Sequence, residues 1–171
     1  MVDEYSLRLH MLRHSLAELS DGWQRMAGAD GPGVLYQAVL RHGYAFAGQP
    51  LPPEYRPRTP KYCFANARTL AGSSRRHLAY VEGFATVPDL PIPIHHAWCM
   101  DRVGTVIDVT FREPEHAVYL GIPFNTTMIK RFARRGCQPL LVDRFGCVRE
   151  DVIEALFPAL FEAAGLMRAV A

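Results

Sequence analysis

No stretch of the 171 residues reaches the roughly 18 consecutive apolar residues that a membrane-spanning helix requires, so no membrane partner is expected. Charge of one sign is equally scarce. Nineteen Lys and Arg stand against seventeen Asp and Glu, a formal charge of +2. Basic residues gather only at Arg75-Arg76, Lys130-Arg131 and Arg134-Arg135. A nucleic-acid footprint needs a cationic face, so no nucleic-acid partner is expected either. The cysteines, Cys63, Cys99, Cys137 and Cys147, lack CxxC spacing and any paired framework, which gives no sign of a zinc ribbon or a disulfide scaffold. The acidic start Met1-Val2-Asp3-Glu4 lacks the basic segment and unbroken apolar core of a secretory signal. Together these absences predict a cytoplasmic protein. There is no internal repeat and no low-complexity tract.

What is present reads as an ordinary folding domain. Apolar residues make up 49% of the chain and charged ones 21%, a balance that supports a packed core and argues against disorder. The length suits one domain over 1–171, with N-terminal helices and a connector in 1–60, a cysteine-bearing helix and a sheet in 61–121, and C-terminal helices in 122–171. Helical spacing of Leu9, Leu12, Leu16, Leu19 and Trp23 predicts a helix from Tyr5 to Met26, whole or broken near Ser20-Asp21-Gly22. Val34 to Phe46 repeats that pattern. Five prolines between Pro50 and Pro60 predict an extended surface connector.

Tyr62 to Gly72 then reads as a helix with Cys63 in its first turn. Strands are expected over His77–Val87, Ile92–Met100, Thr105–Phe111 and Ala117–Gly121, with a turn at Pro123, and the four strands suit an antiparallel meander. Asn125 caps a helix reaching Arg135, Leu140–Val142 suits a short strand, and Arg149–Ala169 suits a last helix disturbed at Pro158. The fold class is therefore α+β, with helices packed on one side of an antiparallel sheet.

Chemistry concentrates in three short segments: Lys61-Tyr62-Cys63-Phe64-Ala65-Asn66, Ile94-His95-His96-Ala97-Trp98-Cys99 and Val106-Ile107-Asp108-Val109-Thr110. A thiol is a nucleophile as thiolate, which a helix N-terminus and a nearby imidazole both favour. The imidazole in turn needs a group to orient its second nitrogen. A hairpin with Asp101-Arg102-Val103 as a three-residue loop would set His96 directly opposite Asp108, with Trp98 on the same face. His95 would point to the other face with Ala97, Cys99, Ile107 and Val109, so the pleat selects His96 over its neighbour.

This order of cysteine at a helix head, His-Ala-Trp on one strand and Asp-x-Thr on the next resembles the core of the transglutaminase-like superfamily, a branch of the papain-like cysteine enzymes, over residues 62–110. The resemblance implies a papain-like or transglutaminase-like core. It also implies Cys63 as nucleophile, His96 as general base and acid, and Asp108 as orienting carboxylate. The implied activity is a cysteine hydrolase or acyltransferase acting on an amide, peptide or isopeptide bond of a peptide, protein or small acyl substrate, with no cofactor. The tryptophan often found before the family's cysteine is Tyr62 here, and the turn between the strands is shorter than usual. Tyr62 and Asn66 are accordingly the oxyanion candidates beside the Cys63 amide, with Trp98 as a substrate-side candidate.

Rival readings remain. A papain-like scaffold without turnover, sequestering a partner, is the alternative. A metal site could draw on His95, His96, Cys99, Asp101 and His116, although adjacent strand residues diverge and no metal is expected. Glu82 reads as a strand-end surface charge or as an acid in a substrate pocket. Cys99, Cys137 and Cys147 read as structural.

Overall fold

The computed structural model describes residues 3–27, 33–73, 77–132, 139–142, 149 and 152. Its framework is a five-stranded antiparallel sheet with helices, an α+β architecture. Helix α1 (Glu4–Ala27) is unbroken through Ser20-Asp21-Gly22, since the buried Ser20 hydroxyl bonds outward to the Gly33 carbonyl at 3.2 Å and leaves the helical ladder intact. Helix α2 (Gly33–His42) stops earlier than its apolar spacing predicts. At Gly43 a Cβ would lie 2.4 Å from the Val39 carbonyl oxygen, so the chain leaves the helix where only glycine fits. Tyr44–Ala47 then forms strand β1 by pairing with a distant strand.

Helix α3 (Cys63–Ser73) follows the proline-rich connector. It buries Cys63, Asn66, Ala67, Leu70 and Ala71, positions that share one helical face. Strands β2 (Ala79–Val87), β3 (Leu90–Met100), β4 (Val106–Ile107) and β5 (Val118–Phe124) complete the sheet. The order β1-β5-β2-β3-β4 corrects the expected meander, because β5 returns to pair with β2 and so leaves β1 and β4 at the edges. The expected turn at Pro123 is also corrected. Pro123 lies inside β5 opposite Val81, past the Tyr44–Gly121 pair that ends the β1 ladder, where a residue without N–H leaves no ladder bond unmade.

Two apolar clusters occupy the two faces. The larger joins Leu12, Leu16, Leu35, Val39, Ala67 and Leu70 of the helices to Tyr80, Phe84, Ala97, Cys99, Leu120 and Ile122 of the sheet. The smaller, on the opposite face, holds Phe46, Val81, Trp98, Met100, Val106 and Tyr119. Trp98 needs glycine beneath it, since a Cβ on Gly121 would stand 2.5 Å from the indole.

Residues 126–132 form helix α4 (Thr126–Phe132), capped by the Asn125 carboxamide oxygen on the Met128 amide at 2.9 Å. The rest of that predicted helix, Cys137, Cys147 and nearly all of the predicted C-terminal helix lie outside the described residues. Among the described residues no helix is long and apolar enough to cross a membrane.

Candidate active site

Strand β4 is two residues long instead of seven, and the site's carboxylate explains why. Asp108 Oδ1 accepts the Thr110 amide at 2.8 Å and the Phe111 amide at 3.2 Å, which folds the chain over immediately after Ile107. The turn before β4 is longer than expected. Cys99 pairs with Ile107 and Met100 with Val106, leaving Asp101 to Thr105 in the loop. The register is thus displaced by two residues from the one that puts His96 directly opposite Asp108. A two-residue displacement preserves the face, and the bend carries the carboxylate back to the imidazole.

His96 Nε2 lies 2.7 Å from Asp108 Oδ2, and both side chains are buried. The Tyr119 hydroxyl donates to the same oxygen at 3.1 Å, so the carboxylate is fully engaged. With Nε2 committed, Nδ1 is the nitrogen left for Cys63, whose sulfur is near enough to the ring to help hold its proton. Cys63, His96 and Asp108 therefore stand in one row. The ring is held flat as well: Phe111 stacks on it at a centroid distance of 4.0 Å and an interplanar angle of 3°.

Burial disfavours a charged imidazole, but the Asp108 carboxylate outweighs that effect and the His96 ring is pushed up to about 9 from 6.5. Burial likewise works against a charged Asp108, yet the His96 ring and the two loop amides hold its carboxyl below the usual 3.8. Burial and the neighbouring carboxylate push the Tyr119 phenol well above 10, so it stays a neutral donor.

Around this row the other candidates divide. Tyr62, the residue before Cys63, is 62% exposed. Asn66 is buried and its amide nitrogen bonds the Thr59 carbonyl at 2.8 Å and the Thr110 hydroxyl oxygen at 3.1 Å, which corrects the oxyanion expectation: both of its N–H donors are committed. Trp98 is buried against Phe46 and Tyr119, and its indole N–H has no partner among the described residues. Cys99 lies on the helix-facing side, its thiol donating to the Ala67 carbonyl at 3.2 Å, and burial pushes that thiol up. A cavity of about 660 Å³ opens at the far end of the sheet between Phe46, Ala79, Met100 and the Asp101–Thr105 turn; Cys63, His96 and Asp108 do not line it.

His95 points to the opposite face, packed between Phe64 and Phe84 at centroid distances of 4.9 and 5.4 Å. Its Nε2 lies 3.2 Å from Oε1 of Glu82. Both readings of Glu82 are overturned, because it sits fully buried in the middle of β2. Its carboxylate accepts the Tyr80 hydroxyl at 2.7 Å and the Leu140 and Leu141 amides at 2.6 and 3.0 Å. It anchors the segment 139–142 to the sheet, where the sequence suggested a strand of its own. No periodicity signals this role, since the partners lie 58 and 59 residues away. Among the described residues no group of three or more His, Cys, Asp or Glu side chains is placed to hold a metal ion, so His95, His96, Cys99, Asp101 and His116 do not converge.

Comparison with family models, curated proteins and solved structures finds no match to the chain.

Proposed function

We propose that the protein is a cysteine-dependent hydrolase or acyltransferase that cleaves an amide, peptide or isopeptide bond through an acyl-thioester on Cys63. The observation that carries this reading is the buried row from the Cys63 thiol through His96 to Asp108, with 2.7 Å between imidazole and carboxylate. The resemblance of residues 62–110 to the transglutaminase-like, papain-like enzymes points the same way. At neutral pH His96 is charged, and a charged imidazole beside sulfur favours the thiolate. The sulfur attacks the substrate carbonyl carbon, the carbon–nitrogen bond breaks, and His96 gives its proton to the departing amine. Neutral His96 then takes a proton from water or a second amine, whose attack breaks the carbon–sulfur bond and restores the thiolate. Asp108 keeps Nε2 occupied, so that Nδ1 faces the sulfur throughout. The first-turn amides of α3, which have no intrahelical acceptor, supply the oxyanion donors, beginning with that of Cys63.

The test uses p-nitrophenyl acetate as acyl donor, with intact mass and peptide mapping as readout. An acetyl adduct on Cys63 that forms and then hydrolyses, and that is missing in Cys63→Ala, is the expected result. Absence of any adduct on Cys63 overturns the reading.

One observation favours a second reading, a papain-like scaffold that binds a partner without turnover. Cys63 is 7% exposed and His96 2%, so a substrate carbonyl has little open approach. That reading predicts a stable adduct, or none, with the fold intact.

A further inference from the structure

We infer that Asn66 and Thr110 are positioning residues that bolt the helix carrying Cys63 to the loop carrying Asp108, an inference that rests on the proposed role of Cys63. Asn66 follows Cys63 by three positions and shares its buried helical face, so whatever holds Asn66 also sets the rotation of α3 that aims the sulfur. Its amide nitrogen uses one hydrogen on the Thr110 hydroxyl oxygen, and the Thr110 amide bonds Asp108 Oδ1. Asp108 Oδ2 bonds His96, and His96 is the neighbour of Cys63. The contacts close a ring from helix to loop to strand and back to helix.

The second hydrogen of Asn66 goes to the Thr59 carbonyl, in the connector just before Cys63. The connector is fastened again where the Arg58 amide bonds the Val109 carbonyl at 2.6 Å. Between these fastenings and the helix, Lys61 holds φ at 67°, a left-handed backbone that a non-glycine residue keeps only when its surroundings impose it. The approach to Cys63 is therefore fastened to the loop just after Asp108, and the Asn66 side chain joins the connector at Thr59 to that loop at Thr110.

A nucleophile displaced by about 1 Å loses on the order of a hundredfold in rate. The experiment follows alkylation of Cys63 by iodoacetamide across pH 5 to 10, resolved by peptide mass spectrometry, in wild type, Thr110→Val, Thr110→Ser and the double variant Asn66→Leu/Thr110→Val. The double variant replaces both partners of the Asn66–Thr110 bond by apolar groups of similar size, so that neither is left unsatisfied by the other, and leaves only the Thr59 carbonyl without its donor; it keeps the test available if Thr110→Val does not fold. Expected are a fall of at least tenfold at neutral pH in Thr110→Val and in the double variant, an altered rate-against-pH profile, and recovery to within about threefold of wild type in Thr110→Ser. A folded Thr110→Val or double variant that labels at the wild-type rate with an unchanged profile overturns the inference. Wild-type Cys63 labelling no faster than in the urea-unfolded chain would instead sink the proposed role of Cys63, so the two failures are distinguishable.

Discussion

Replacing Asp108 by Asn removes one charge and leaves most of the local geometry possible. The amide oxygen can still accept the Thr110 and Phe111 N–H groups. Its new NH2 would face His96 Nε2 and the Tyr119 hydroxyl, and that hydroxyl already lies 3.5 Å from the Pro114 carbonyl, to which it can turn its proton. The electrostatics invert. Without the carboxylate, burial dominates and the imidazole is neutral at pH 7, with Nε2 accepting from the new amide and Nδ1 carrying the proton toward the sulfur. That tautomer cannot take a thiol proton, so alkylation of Cys63 at pH 7 should fall by about three orders of magnitude.

Stability reports the same change. In the wild type the His96 value rises from 6.5 to about 9 on folding, about 3 kcal/mol at about 1.4 kcal/mol per pH unit. Because the folded value is the higher one, this contribution is complete below about pH 6.5 and disappears as pH climbs through 9. Urea titrations at pH 6, 7, 8 and 9 should show wild-type stability declining by about that amount, while Asp108→Asn, whose buried imidazole stays neutral, rises slightly from pH 6 to 7 and is level above. Parallel pH profiles for the two proteins, or Cys63 labelling in Asp108→Asn within tenfold of the wild-type rate, would refute the reasoning.

Other substitutions probe the scaffold. Tyr119→Phe removes a hydrogen bond to a buried carboxylate and should cost about 2 kcal/mol, read from the urea midpoint at unchanged slope. Gly121→Ala drives a methyl to 2.5 Å from the Trp98 ring and 2.9 Å from the Glu82 carbonyl; a loss of about 2 kcal/mol or more with altered Trp98 fluorescence is expected, and wild-type stability would mean the strands can part. Glu82→Gln sets an NH2 group against donors that now share a carboxylate. It should cost about 3 kcal/mol and raise proteolytic cleavage around residues 139–142, whereas unchanged cleavage would deny Glu82 the anchoring role.

Much of this was legible in the residues because it depends on periods and local chemistry. The α1 helix follows from apolar spacing, α3 from a run of helix-forming residues, and the α+β class from the order of elements. The strand period of two separates His95 from His96 whatever the register, since a two-residue displacement of the hairpin leaves the faces unchanged. Cys63 at the head of α3, with His96 and Asp108 in order behind it, was visible as three segments.

What only the tertiary structure decided depends on partners far apart in the chain. Tyr44–Ala47 continues a helical pattern and becomes a strand because β5 offers an edge. Glu82 looks like a surface charge, yet four donors make burial of its carboxylate tolerable, two of them backbone amides that carry no side-chain signature. Asn66 looks like an oxyanion donor until Thr59 and Thr110 take its hydrogens. The residue types named the candidate atoms. Which hydrogen bonds those atoms keep was set by contacts between distant segments, because a buried polar group takes its partner from whatever the packing brings within about 3 Å.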